Sequence, residues 1–209
     1  MQDLFGYSKS NSELTTENAH QIGGLQVYFD FISKEEESQL LSNLDNNEWL
    51  LDLKRRVQHF GYKYDYRARR IDSNSFIGEI PLWMNFLIER LLDQKLIAFR
   101  PDQAIVNEYI EDQGISAHID CEPCFGDTII SISLGSSCVM NFQRQLNAKE
   151  HDKIPLLLQP RTLVVMTNES RYKWYHGIPS RKSDKFNEQI HRRQRRVSIT
   201  FRKVILESK

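Results

Sequence analysis

The sequence predicts an α+β protein in which N-terminal helices precede a sandwich or jelly-roll of short strands. Apolar residues recur at three- and four-residue steps in the first part of the chain, which is typical of amphipathic helices. They then recur at two-residue steps to the end, in short runs separated by Gly, Pro, Asn and Ser. The 209 residues, 40% of them hydrophobic, are enough for one well-buried core.

The helices and the first strand are predicted as follows. Residues 1–21 are polar and without a period, which indicates a poorly ordered leader. The run LQVYFDFI is typical of a strand. The next run, SKEEESQLLSNL, has Ser33 and Glu36 at the spacing of a capping box and its leucines on one helical face. A second helix is predicted at IPLWMNFLIERLLDQ, after Pro81.

The remaining segments are predicted to be strands. The basic, Tyr-rich run KRRVQHFGYKYDYRARR lies between the two helices and alternates in places like a strand, with Gly61 as a candidate turn or bulge. After the second helix, the strand-like runs are AIVNEY, TIISISL, SCVMNF, IPLLLQ, TLVVM, KWYHGI and VSITFRKV.

Composition indicates a soluble intracellular protein, cytoplasmic or nuclear, with no membrane partner. No apolar run approaches the roughly 20 residues that a membrane helix requires, and the N-terminus lacks the order of a signal peptide. The three cysteines, Cys121, Cys124 and Cys138, are too few and too clustered for a disulfide framework, which favours a reducing compartment.

The formal net charge of zero conceals an uneven distribution. Residues 1–53 carry ten acidic and two basic side chains, whereas residues 54–70 carry seven basic side chains and one acidic. Residues 181–203 carry nine basic and two acidic side chains. Two basic segments suggest a local anionic partner, and solvated loops are the alternative explanation.

The stretch SAHIDCEPCF concentrates side chains that can bind a metal. His118 and Asp120 are two residues apart at the predicted end of a strand, so they point the same way. A third ligand must come from elsewhere, and His176 in RYKWYHGI is the best placed. Two imidazoles and one carboxylate form the facial triad of non-haem Fe(II) oxygenases. A surface polar pair is the alternative for the H-x-D pair taken alone.

A zinc site is the competing interpretation of the same stretch. A structural zinc usually requires four Cys or His ligands, and the pair Cys121 and Cys124 has no second pair at a suitable spacing. The sequence therefore disfavours a zinc site at the cysteine pair.

Two further runs suggest a binding site for a dicarboxylic acid. In RRVSITFR, Arg196, Ser198, Thr200 and Arg202 share one strand face and apolar residues occupy the other. Two guanidiniums beside an apolar core are costly unless they meet anions, and 2-oxoglutarate would supply two carboxylates. A solvent-exposed edge strand is the alternative. In VNEY, Asn107 and Tyr109 could hydrogen-bond the same molecule, although strand tyrosines mostly serve packing.

In the order of these motifs the sequence resembles the AlkB family of Fe(II)- and 2-oxoglutarate-dependent dioxygenases. The resemblance runs through VNEYIEDQGISAHID, IISISLGSSCVMNF, RTLVVMTNESRYKWYHGI and RRVSITFRKV, and covers roughly residues 24–204. It implies a double-stranded β-helix (jelly-roll) core with a nucleotide-recognition lid, within a single domain over residues 22–209. It also implies the iron ligands His118, Asp120 and His176, and the 2-oxoglutarate contacts Asn107, Tyr109, Arg196, Ser198 and Arg202.

The family's chemistry consumes O₂ and converts 2-oxoglutarate to succinate while a C–H bond is hydroxylated. On a methyl group attached to a base nitrogen, this releases formaldehyde and demethylates the base. The resemblance thus implies a monomeric enzyme acting on single-stranded or flipped bases in DNA or RNA. Candidate substrate contacts are Arg55, Arg56, Tyr64, Tyr66 and Glu122; core packing is the alternative for the rings, and a surface loop for Glu122.

Two other activities fit the resemblance. Several runs, such as ESRYKWYHGI, are similar to the branch that hydroxylates a modified wobble uridine in tRNA, although that branch often carries an RNA-recognition and a methyltransferase domain for which this chain has no room. Demethylation of a protein side chain is the other. A non-catalytic jelly-roll binding module would predict a damaged triad or missing arginines, and the sequence has neither.

Overall fold

The computed structural model describes residues 9–51, 54–65, 68 and 70–206. Its helices are α1 (Asn11–His20), α2 (Lys34–Asp45), α3 (Asn85–Asp93) and α4 (Asn168–Tyr172). Its strands are β1 (Leu25–Tyr28), β2 (Val57–Tyr62), β3 (Phe76–Gly78), β4 (Gln103–Tyr109), β5 (Ile115–His118), β6 (Phe125–Gly135), β7 (Cys138–Gln143), β8 (Ile154–Leu158), β9 (Leu163–Met166), β10 (Tyr175–Ile178), β11 (Ser183–Phe186), β12 (Gln189–Arg192) and β13 (Arg196–Val204). No helix in these residues is long and apolar enough to cross a membrane.

The strands form two antiparallel sheets that face one another. The larger sheet has the order β1-β9-β6-β13-β4-β2-β3, and the smaller has the order β5-β10-β7-β8. A buried cluster joins them, with Ile129 and Val164 from the larger sheet and Met140, Phe142 and Leu156 from the smaller. The strands β11 and β12 pair separately as a hairpin. The predicted α+β class with a jelly-roll core is confirmed.

The helices α2 and α3 cover the outer face of the larger sheet. Leu40 and Leu44 of α2, with Leu87 and Leu91 of α3, share a buried cluster with the alternate residues of the central strands. The predicted capping box is present, because the Ser33 hydroxyl accepts from the backbone of α2 and the Glu36 carboxylate bonds back to Ser33. The second predicted helix starts with a short 3-10 turn at Leu82–Met84 before α3 begins.

The N-terminal segment differs from the expected poorly ordered leader over residues 1–21. Residues 1–8 lie outside the described residues, but residues 11–20 form α1, with a capping box between Ser10 and Glu13. Thr15 and Ala19 are buried, and Thr15 Oγ1 accepts a hydrogen bond from the Leu157 backbone N–H of β8 at 3.3 Å. The helix is stabilised by these tertiary contacts, which its weak hydrophobic periodicity does not reveal.

Gly61 is a bulge in β2, as the sequence suggested. Its φ of +78° suits glycine, and the register of β2 against β3 shifts between Gly61 and Tyr62. The bulge changes which face the following side chains occupy. Phe60 packs against Trp83 on the helical side, whereas Tyr62 packs towards the cluster between the sheets. Phe60 and Tyr62, which a regular two-residue alternation would place on one face, therefore pack on opposite sides of the larger sheet.

The second basic segment, residues 181–203, is largely neutralised within the protein. Asp184 is fully buried and accepts hydrogen bonds from Arg181 and Arg193. Arg195 bonds to Glu108 and Asp45. These contacts pair Arg181, Arg193 and Arg195 with carboxylates of the protein, so the positive charge of this segment is smaller than its sequence suggests.

The buried ion pairs of Glu108 give a testable prediction. Glu108 is 0% exposed and bonds to Arg56 and Arg195; burial opposes its ionisation, but these two cations hold the carboxyl pKa below its usual range. Glu108→Gln leaves the Arg56 guanidinium without its carboxylate partner and Arg195 with Asp45 alone, so we expect a loss of about 3 kcal/mol in the free energy of unfolding. Denaturant titration at pH 7 measures it.

The control for this prediction is Glu111→Gln, since Glu111 faces Lys182 across an exposed pair at 4.0 Å. This change should cost less than about 1 kcal/mol. Equal losses for the two variants would show that the buried network contributes no more than a surface pair.

Candidate active site

Two strands of the smaller sheet bring the three predicted metal ligands together. His118 of β5 and His176 of β10 are paired residues of adjacent strands, and their ring centroids are 4.5 Å apart. Asp120 follows β5 by two residues, and its Oδ2 is 3.6 Å from His176 Nε2. The ligand atoms of all three lie within 4.8 Å of one another. The H-x-D pair and the distant histidine therefore converge on one point.

Neighbouring groups orient these ligands and set their protonation. His118 Nδ1 lies 2.9 Å from the Ser116 carbonyl, which leaves Nε2 for a metal when Nδ1 carries the proton. Burial, together with the nearby His118, lowers the pKa of His176 to about 3, so its ring is neutral at pH 7. Burial opposes ionisation of Asp120, but Arg202 and the two histidines hold its pKa below the usual range. Two imidazoles and a carboxylate are the ligand set of non-haem Fe(II).

The polar face of β13 lines a cavity between the two sheets. The side chains of Arg196, Ser198, Thr200 and Arg202 face this cavity, together with Asn107 and Tyr109 of β4 and the three candidate metal ligands. Val197, Ile199 and Phe201 occupy the opposite face and pack against the helices. The predicted division of this strand into a polar and an apolar face is present.

Arg196 is buried with much of its hydrogen-bonding capacity unused. It is 3% exposed, and its Nη2 donates to Ser133 Oγ at 2.7 Å. Its Nε and Nη1 have no partner among the described residues, and the guanidinium lies 5.4 Å from the centre of the Tyr109 ring. A buried cation with free donors is costly unless an anion binds to it. The site therefore fits a ligand with a carboxylate at this end.

Comparison with known proteins identifies the family. The family model described as "2OG-Fe(II) oxygenase superfamily" matches residues 47–202. A protein named "Alkylated DNA repair protein ALKBH8 homolog" from Arabidopsis thaliana is 38% identical over 203 residues, 88% of this chain and 59% of that protein. This chain belongs to the AlkB family of 2OG-Fe(II) oxygenases. It is accordingly a dioxygenase whose cofactors are Fe(II), 2-oxoglutarate and O₂.

Other relatives differ in how much of their length this chain covers. The mouse protein named "tRNA (carboxymethyluridine(34)-5-O)-methyltransferase ALKBH8" is 38% identical over 205 residues, 87% of this chain but 30% of that protein. "Uncharacterized protein L905" of Acanthamoeba polyphaga mimivirus is 35% identical over 189 residues, 90% of this chain and 89% of the viral protein. The chain thus spans most of the viral relative and less than two thirds of the ALKBH8 proteins.

A solved structure shows the same fold at low sequence identity. "The structure of OsALKBH1" superposes with a TM-score of 0.64 at 15% identity, over 86% of this chain and 96% of that chain. The agreement extends the jelly-roll assignment from the strand order to the whole architecture.

The predicted 2-oxoglutarate contacts of this AlkB protein lie around one cavity but differ in their present partners. Asn107 Oδ1 accepts from Arg55 Nε at 2.7 Å, and Ser198 Oγ lies 2.9 Å from Ser131 Oγ. Arg202 Nη2 donates to Asp120 Oδ1. Arg202 therefore lies at the metal end, and Arg196 lies at the other end with free donors.

The sequence analysis did not include Ser131 and Ser133 of β6 among the site residues. Both face the inner side of β6, where Ser131 contacts Ser198 and Ser133 contacts Arg196. The signal was present in the run TIISISL, because two serines alternate with isoleucines that belong to the helix-covered cluster.

The predicted substrate contacts are not all brought to the site. Arg55 reaches the site, since it bonds to Asn107 and lies over the Tyr109 ring. Arg56 does not, because it pairs with Glu108 and lies over the Trp49 ring, which packs against the helix-covered cluster.

The other three candidates are distributed as follows. Tyr64 packs against Phe125, with ring centroids 5.6 Å apart, and Arg202 lies over the same phenyl ring. Glu122 is exposed in the loop after Asp120. Tyr66 lies outside the described residues.

Cys121 and Cys124 are joined by a disulfide, contrary to the expectation of free thiols. The Cys124 N–H donates a hydrogen bond to the Cys121 carbonyl and closes a turn between the two residues. Their Cα atoms are 5.3 Å apart. That separation suits a disulfide, and spacing alone does not reveal the turn. Cys138 is a free, buried thiol, and burial raises its pKa.

Arg196→Ala is expected to raise the KM for 2-oxoglutarate by about 10- to 100-fold, because charge-assisted hydrogen bonds contribute about 1.5–3 kcal/mol. Succinate formation at varied 2-oxoglutarate and saturating Fe(II) measures the change. Arg195→Ala is the control, since the neighbouring Arg195 faces the opposite side and bonds to Glu108 and Asp45. An unchanged KM in the Arg196 variant would place the carboxylate anchor elsewhere.

Proposed function

We propose that this AlkB protein oxidises alkylated or modified bases in nucleic acid, with oxidative demethylation of DNA or RNA bases as the first reaction. The iron ligands in this proposal are His118, Asp120 and His176. The 2-oxoglutarate contacts are Asn107, Tyr109, Arg196 and Ser198, with Arg202 at the metal end. We further propose that residues 22–209 constitute a single AlkB-like dioxygenase domain that acts as a monomer.

The observation that carries the nucleic-acid proposal is an open cleft of about 800 Å³ that reaches His118. It lies on the outer face of the smaller sheet, since Asn141 and Gln143 line it while the intervening Phe142 faces the core. Three cations, Lys54, Arg55 and Lys153, line this cleft, and none of its described lining residues is acidic. Lys153 pairs with Glu150, which is not a lining residue, so Lys54 and Arg55 are the cations best placed to contact a phosphate backbone.

The cleft also offers a group that could contact a base. Asn141 is 7% exposed, lines the cleft, and its side-chain amide has no hydrogen bond to any described residue. An amide has both donors and an acceptor, so it can pair with a base edge. A protein substrate would not require the combination of cations and a free amide.

Each part of the site has a separate role in the proposed reaction. The bound iron and 2-oxoglutarate supply the oxidising power for hydroxylating a C–H bond. Arg196 binds the far carboxylate of 2-oxoglutarate, and Tyr109 and Asn107 border the same cavity. Burial raises the pKa of the Tyr109 phenol, which therefore remains a hydrogen-bond donor at neutral pH. Arg55 and Lys54 stand at the outer cleft, where phosphates would approach.

Hydroxylation of a tRNA base is the second candidate, and similarity to the ALKBH8 proteins favours it. The mouse protein whose name refers to carboxymethyluridine 34 of tRNA is 38% identical to this chain. The Caenorhabditis elegans protein named "DNA N6-methyl adenine demethylase" is 27% identical over 208 residues. This chain covers only 30% of the mouse protein, so the similarity concerns one part of that protein. Demethylation of a protein side chain is the remaining alternative.

Nucleoside mass spectrometry tests the substrate class. Methylated DNA, methylated RNA and tRNA are incubated with Fe(II), 2-oxoglutarate and the protein, and the nucleosides are compared with those from the His118→Ala variant. We expect the loss of a methyl mass with formaldehyde release; a gain of one oxygen in the tRNA pool would select the second candidate. Succinate formation with no change in any pool would contradict a nucleic-acid substrate and favour a protein.

Lys54→Gln tests the cleft. If Lys54 contacts a phosphate, single-stranded nucleic acid should bind more weakly, with the slope of log affinity against log salt reduced by about 1. Fluorescence anisotropy at several salt concentrations gives this slope. Lys34→Gln, at the exposed start of α2, is the matched control. Identical slopes in all three proteins would exclude a phosphate contact at Lys54.

A further inference from the structure

Arg171 is a buried arginine close to the candidate metal ligands, and none of the roles assigned above includes it. It lies in the short helix α4, five residues before His176, and is 2% exposed. A buried guanidinium is costly unless its donors are satisfied. Its contacts therefore indicate what it does.

All of the side-chain hydrogen bonds that Arg171 makes to described residues go to backbone carbonyls at the two ends of the loop between Asp120 and the start of β6. Its Nη1 donates to the Asp120 carbonyl at 3.0 Å, and its Nη2 donates to the Cys121 and Phe125 carbonyls at 3.2 Å each. Its Nε donates to the Gly126 carbonyl at 3.1 Å. The guanidinium thus binds both ends of the loop that follows the H-x-D pair.

We propose that Arg171 is a positioning residue that fixes the backbone of Asp120, and with it the carboxylate ligand, relative to His176. This proposal rests on the metal site of the proposed function and adds a residue that touches neither metal nor substrate. The Asp120 loop and the His176 strand come from distant parts of the chain, and Arg171 joins them directly. A ligand whose backbone can shift binds its metal less well, since orientation is lost.

The chemistry of the side chain explains why an arginine suits this position. A guanidinium offers five donors in a rigid planar fork, and four carbonyls here approach it from one loop. A lysine has three donors on a single nitrogen and cannot span carbonyls at both ends of the loop. The nearby Asp120 carboxylate offsets the buried positive charge, although burial still lowers the pKa of Arg171.

The disulfide between Cys121 and Cys124 does not replace this function. It closes a turn within the loop, whereas Arg171 binds the Cys121 carbonyl of that turn and also carbonyls on both sides of it. The disulfide can restrict the shape of the loop, but it makes no covalent link to α4 or to the His176 strand.

Binding of Co(II) alone, as a spectroscopic substitute for Fe(II), tests the proposal. The dissociation constant and the intensity of the visible ligand-field bands are measured for wild type, Arg171→Met, Arg171→Lys and Arg144→Met, with the melting temperature recorded separately. We expect Arg171→Met to raise the dissociation constant by about 10- to 100-fold and to alter the bands, with Arg171→Lys intermediate.

Arg144→Met is the matched control, because Arg144 also contacts α4 through Glu169 but lies on the exposed surface over Trp174. It should bind Co(II) within about twofold of wild type, the ordinary precision of such a titration. If Arg171→Met does not fold, the Co(II) dissociation constant of Arg171→Lys tests the proposal instead.

Two outcomes would overturn the proposal. A folded Arg171 variant that binds Co(II) like wild type, even with a lower melting temperature, would show a purely structural arginine. Undiminished Co(II) binding by His118→Ala would instead refute the metal site itself, and the positioning role with it.

Discussion

The two-residue alternation of β13 is the constraint on which the structure depends. This strand lies between β4 and β6 at the centre of the larger sheet, so neither of its faces is free to meet solvent. Its apolar face packs beneath α2 and α3, and its polar face lines the cavity between the sheets. A shift of one residue in register would bury two arginines under the helices and remove the site at the same time. Fold and chemistry therefore depend on the same pairing.

Much of the site could be predicted because its information is local. The spacing of His118 and Asp120, and the alternation from Arg196 to Arg202, follow directly from the geometry of a strand. The predictions that failed depend on backbone irregularities and on tertiary contacts, neither of which residue spacing reveals. A bulge at Gly61 changes the face of the residues after it, and the turn between Cys121 and Cys124 brings two apparently free thiols together. Residues 11–20 of the predicted leader form a helix that β8 contacts, which their own periodicity does not indicate.

The charge distribution has a simple explanation in the fold. The acidic N-terminal part and the basic C-terminal part of the chain meet in space, as in the bonds of Arg195 to Asp45 and of Arg161 to Asp30 and Glu37. A net charge of zero is thus the sum of segments that neutralise one another. Against that background, a cleft lined by cations and by no described carboxylate is distinctive. The spatial distribution of charge, and not its total, indicates where an anionic substrate would bind.

The position of α1 has a consequence for solubility. The strand β8 is the last of its sheet, and an uncovered last strand can recruit a strand from another molecule and begin aggregation. Asn18 donates to the Pro155 carbonyl at 2.8 Å, and Thr15 accepts from the Leu157 N–H, so α1 occupies the groups that an incoming strand would need. Pro155 itself has no N–H to offer. Removing α1 would thus expose a pairing edge, and the truncated protein would tend to self-associate at concentrations where the longer chain does not.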